Sequence, residues 1–83
     1  MSVAVSNDLK LLTLGSQGPA VRQFQRDLNR LLQSVNAIAD MFVLVDGLFG
    51  KETMLSLKYV QCIGGLPVNG HADERTQAFV AHG

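Results

Sequence analysis

The sequence predicts an all-α domain, a compact three-helix bundle assembled around two similar turn–helix units. Three observations predict it. The stretch Val45-Asp46-Gly47-Leu48-Phe49-Gly50-Lys51-Glu52-Thr53 is answered by Val68-Asn69-Gly70-His71-Ala72-Asp73-Glu74-Arg75-Thr76, at a constant offset of 23 residues. The repeat keeps Val, Asp or Asn, Gly and Thr in register, so each copy is a tight turn that launches a helix. Apolar residues after Pro19 recur at helical spacing. The whole chain is 83 residues, 47% hydrophobic and 17% charged, the composition of one globular domain rather than of a disordered segment.

Residues 1–10 carry no strong periodicity and read as an N-terminal tail, which leaves 11–83 as the domain. Leu11, Leu12 and Leu14 lead into Gly15-Ser16-Gln17-Gly18-Pro19. Pro19 suits the first position of a helix, and Ser16 is placed to cap it. Val21, Phe24, Leu28, Leu31, Leu32 and Val35 then form a buried face, with Arg22, Gln23, Arg26, Asp27 and Arg30 on the solvated one. This helix is expected to reach about Ala39, and Phe42 to Val45 to run extended into the first repeated turn. In both turns an Asp or Asn acceptor precedes a glycine free to take positive φ. Gly50 and Asp73 fall at helix N-cap positions, and Glu52 and Glu74 follow in the first turns, where the helix dipole favours them. The second helix is expected from Lys51 to Ile63, stopped by Gly64-Gly65. The third is capped by Asp73, runs to about Ala81 and turns Ala78, Phe79 and Val80 inward.

Several function classes are excluded. Formal net charge is zero and no basic run exists, which argues against nucleic acid as a partner. A single cysteine, Cys62, forbids an intramolecular disulfide and a thiolate zinc site; it is expected to be a small, buried or half-buried apolar residue. His71 and His82, with Cys62 and Asp73, match no ligand spacing, so neither metal nor cofactor is expected. No stretch approaches the roughly 18 apolar residues of a membrane span. Residues 1–8 show no basic n-region and no apolar h-region of a secretory signal. No nucleophile elbow and no convincing carboxylate pair is present, so catalysis is not expected.

Leu14-Gly15-Ser16-Gln17-Gly18-Pro19-Ala20-Val21, followed by Phe24-Gln25 and Leu28-Asn29, resembles the opening of the peptidoglycan-binding-like domain. Val45 to Thr53 is similar to that family's V-D-G-x-F-G-x-x-T block, and Gln61, Gly65-Leu66-Pro67-Val68, Gly70 and Thr76 to its close. The ordered series covers about Leu11 to Val80. Thr13 stands where members often carry a base, Val60 where they carry Phe, and Gln77 where they carry Trp. The resemblance implies a three-helix, non-catalytic module of bacterial or phage origin that binds peptidoglycan or a muropeptide, fused to or associated with a wall hydrolase. It implies a cell-wall or extracytoplasmic location, while the missing secretory signal leaves a cytoplasmic one open. The same fold also serves as a protein–protein docking module, of which dimerisation is the simplest form.

The candidate binding residues sit at the two turn–helix mouths: Asp46 and Phe49 at the first, Asn69 and Arg75 at the second, with Gln61 on the packing face between them. Each has a structural alternative. Asp46 and Asn69 satisfy the amides of their own turns, as such residues before glycine commonly do. Phe49 staples its loop to the core. Gln61, like Gln25, either lines a groove or pairs with buried turn carbonyls. The stripe Arg22, Arg26 and Arg30 either meets acidic partners or is an ordinary solvated face. Burial of Phe42, Leu44 and Phe49 discriminates wall binding from protein docking, since an exposed apolar patch marks a partner surface.

Overall fold

The computed structural model describes residues 11–82. The expected tail, residues 1–10, lies outside them. Among the described residues three α-helices occur, α1 (Pro19–Ser34), α2 (Lys51–Ile63) and α3 (Glu74–His82), with a single 3-10 turn at Ala39–Met41 and no extended sheet. α1 packs against both α3 and α2. Their shared core holds Val21, Phe24, Leu28 and Leu32 of α1, Leu57 and Val60 of α2, and Val80 of α3. Leu12, Val43, Phe49 and Ala72 close it from the connecting segments. Phe49 is 2% exposed and stacks on Phe24, ring centroids 6.1 Å apart.

Two helix boundaries depart from the sequence expectation. α1 ends at Ser34, short of Ala39, because Asn36 adopts φ 57°. The amide of Asn36 then donates to the Gln33 carbonyl and that of Ala37 to the Leu32 carbonyl, which completes a left-handed C-cap of the Schellman type. Asn is among the few non-glycine residues that tolerate this conformation. α2 stops in the same way: Gly65, at φ 72°, lets the Leu66 amide reach the Gln61 carbonyl at 2.9 Å. Ser16 does not cap α1. Its hydroxyl accepts the Thr13 amide, closing the preceding turn, and the N-cap is Gly18, whose φ of 123° only glycine adopts readily. Asp73 does cap α3, accepting the Thr76 amide at 2.9 Å.

The segment 12–18 ties the two turns together. Leu12 pairs with Ala72 beside the second turn, and Gly15, Ser16 and Gly18 bond to Phe49 and Gly47 of the first. The run Phe42 to Val45 is irregular and extended, as expected. Asn29 of α1 fixes it by a two-point grip: its Nδ2 donates to the Val43 carbonyl (2.8 Å) and its Oδ1 accepts the Val43 amide (2.9 Å). Ser56 of α2 holds the other side by donating to the Met41 carbonyl. Val43 is therefore turned inward, while Phe42 and Leu44 on either side face out at 39% and 77% exposure.

Candidate functional site

Each repeated turn is held by one buried glutamine from the helix before it. Gln25 of α1 accepts the amides of Asp46 (3.1 Å) and Gly47 (2.9 Å) on Oε1. Its Nε2 donates towards Asp46 Oδ1, the Leu48 carbonyl and Thr53 Oγ1. Gln61 of α2 repeats this contact for contact. Oε1 accepts the amides of Asn69 (3.1 Å) and Gly70 (3.0 Å), and Nε2 faces Asn69 Oδ1, the His71 carbonyl and Thr76 Oγ1. The side chains of Asp46 and Asn69 then accept the amide two residues on, from Leu48 at 3.0 Å and His71 at 2.9 Å. Gly47 and Gly70 take φ 79° and 77°, the left-handed values the turn needs. α2 thus serves both units: Thr53 at its start is gripped by one glutamine, and Gln61 near its end supplies the other.

The five sequence-derived candidates do not converge on one site. Asp46 is exposed and lines a groove at the first mouth. Asn69 and Arg75 are exposed at the second. Phe49 and Gln61, proposed as binding residues, are instead in the interior, at 2% and 0% exposure. Stacking on Phe24 and the grip on the second turn occupy them, so they position the mouths and offer no face to a ligand. The arginine stripe is engaged locally: Arg30 bonds Asp27 (3.1 Å) and the Ala81 carbonyl (3.0 Å) at the end of α3, and Arg26 bonds Gln23. Cys62, expected to be at least half-buried, is exposed. Val60 and Gln61 take the inner face of α2, and the next residue rotates outward.

The groove at the first mouth encloses about 370 Å³ between the 42–48 segment and the start of α2. Phe42, Leu44 and Leu48 form its apolar wall, Asp46 and Glu52 its charged edge, and Gln25 and Thr53 its floor. Leu48, 53% exposed, is the apolar member of the Asp46 to Gly50 mouth, and Glu52 lies outside the sequence-derived candidates. Nothing in the local pattern says which side of an extended run faces out; Asn29, 14 residues away in the chain, decides it. The second mouth is an open depression lined by Asp73, Glu74, Arg75 and Ala78. His71 sits beside it and meets Thr13 Oγ1 at 2.7 Å.

Both mouth aspartates are held ionised. The Leu48 amide, then the Gln25 side chain and more weakly Arg22, keep the Asp46 carboxyl below its ordinary value. The Thr76 amide does the same, as the main cause, for Asp73. Among the described residues no group of three or more His, Cys, Asp or Glu could hold a metal ion, and no helix is long and apolar enough to cross a membrane.

Residues 17–80 match the family described as "Putative peptidoglycan binding domain". The chain belongs to that family. Its fold is similar to the N-terminal domain of SleB in a crystal structure, with a TM-score of 0.72 at 28% identity over 89% of this chain and 92% of that one. It is also similar to a periplasmic domain of the EpsAB fusion protein of the Vibrio vulnificus type II secretion system, with a TM-score of 0.70 at 25% identity over 88% of this chain and 30% of that one. No curated protein matches the sequence.

Proposed function

We propose that this domain is a non-catalytic module that holds a partner wall hydrolase, fused or associated, against peptidoglycan, and that it works in a cell-wall or extracytoplasmic setting. The observation that carries this reading is the family match over residues 17–80. The groove at the first mouth supports it by offering a place for a peptide or sugar fragment: apolar on one side, charged on the other, and built on a turn fixed by buried hydrogen bonds. The contact area is small, so affinity for a single fragment is weak and retention on the wall depends on many repeated sites. Co-sedimentation of the purified domain with insoluble sacculi, against a chitin control, tests the reading. Pelleting with sacculi alone supports it; a folded protein that stays in the supernatant contradicts it.

A second reading is favoured by one observation. Phe42 and Leu44 are outward-facing on adjacent alternate positions, an apolar pair that a protein partner or a second copy would cover. On this reading the same groove docks protein, and sacculi are not retained.

A further inference from the structure

The two copies of the turn–helix unit share their hydrogen bonds but not their surfaces. At equivalent positions Asp46 answers Asn69, Leu48 answers His71 and Glu52 answers Arg75. The groove at the first mouth is therefore lined by two carboxylates, an apolar wall and no cation, whereas the second mouth sets Arg75 beside Asp73 and Glu74 and has no large apolar residue in its lining. The turn itself does not require the charge of Asp46. Asn69 accepts the same two contacts, from Gln61 Nε2 at 3.0 Å and the His71 amide at 2.9 Å, that Asp46 accepts from Gln25 Nε2 at 3.2 Å and the Leu48 amide at 3.0 Å. Asp46 uses only Oδ1 for these bonds, and Oδ2 takes no hydrogen bond from the described residues. Glu52 is exposed and has neither a hydrogen bond nor an ion pair among them. No cation lines the groove. Arg22 reaches towards Gly47 behind the turn and weakly lowers the Asp46 carboxyl.

From this divergence we infer that the first mouth takes a primary ammonium carried on an aliphatic chain, the side-chain amine of the diamino acid in a peptidoglycan stem peptide. The methylenes lie along Phe42, Leu44 and Leu48, and the ammonium reaches the carboxylates of Asp46 and Glu52. A hydrocarbon stem with a cationic head matches an apolar wall with an acidic edge, which is how such chains divide themselves between apolar surface and charge. This inference rests on the wall-binding reading above and specifies what that reading recognises.

The test compares two soluble, uncrosslinked muropeptides that differ only in whether the side-chain amine is free or acetylated, each titrated by NMR into the intact domain. The free amine is expected to bind about fivefold more tightly, roughly 0.5 kcal/mol for each of two screened ion pairs, with the difference shrinking at high salt. D46N and E52Q are each expected to reduce the preference. D46N keeps the turn, because Asn69 shows that an amide serves there, and a parent-like circular dichroism spectrum with a cooperative melt would confirm that the fold is intact. Equal binding of both muropeptides would overturn the inference and leave wall binding standing. Absence of binding by either, with sacculi not retained, would overturn both.

Discussion

Replacing Gln25 with leucine keeps the volume of a buried side chain and removes the group that holds the first turn. Gln25 is 1% exposed, and its two polar atoms meet five partners. Two hydrogens on Nε2 cannot serve three acceptors fully, so the loss is smaller than a count of contacts implies. Asp46 and Leu48 are exposed and recover bonds from water, whereas the Gly47 amide and the Thr53 hydroxyl are buried and do not. Orphaning the amide costs about 1–3 kcal/mol and losing the hydroxyl's partner about 1 kcal/mol. The leucine returns about 1 kcal/mol through its apolar surface. The net loss is about 1–3 kcal/mol, against a total of roughly 4–12 kcal/mol for a chain of this length. In a domain this small that lowers Tm by about 5–20 °C. Thermal and urea melts followed by circular dichroism read it directly. Gln61→Leu should cost a similar amount, because the second grip repeats the first. Gln23→Leu, on the exposed face of α1, is the control and should stay within about 0.5 kcal/mol. A loss for Gln25→Leu no greater than the control's would refute the claim that the glutamine holds the turn.

Gly47→Val should destabilise by about 1–3 kcal/mol, since a β-branched residue is forced to positive φ, with its Cβ already in contact with the Gly18 carbonyl and the Arg22 guanidinium at 3.4 Å; an unchanged urea midpoint would contradict this. Gly64→Ala places a Cβ 2.6 Å from the Phe79 ring, so the ring must shift, at about 1–3 kcal/mol by thermal melt. Acid should weaken the fold in a defined window. Asp46 and Asp73 titrate lower in the folded chain than their ordinary 3.8, so their contribution is fully present above that value and is lost as pH falls through the depressed folded values. Melts from pH 5 down to pH 2 should show a decline that is shallower in D46N, and identical slopes would refute the assignment.

The parts of this fold that sequence made readable are those where one residue type settles the matter locally. Asp-Gly and Asn-Gly announce their turns, Asp73 announces its helix, and the glutamines belong to the packing face because a buried amide must find partners. Of the two roles the sequence leaves open for them, lining a groove or pairing with turn carbonyls, the second holds; they also accept two turn amides each, which needs the three-dimensional approach of helix to turn. Asn36 was harder to read, because only its tertiary setting makes it a helix stop rather than one polar residue in a longer helix. Ser16 has the chemistry of a cap and spends it on the turn before. The groove was least legible of all. Its wall depends on Asn29 rotating the 42–45 segment so that Val43 goes in and its neighbours go out.

The central claim, that a groove poised on a glutamine-held turn receives the wall fragment, is tested most directly by mapping backbone amide shifts during titration with a soluble muropeptide. Shifts confined to residues 42–53, with α3 and the Asn69–Asp73 turn unmoved, are the predicted result. Shifts elsewhere, or none at saturating ligand in a folded sample that sediments with sacculi, would contradict it.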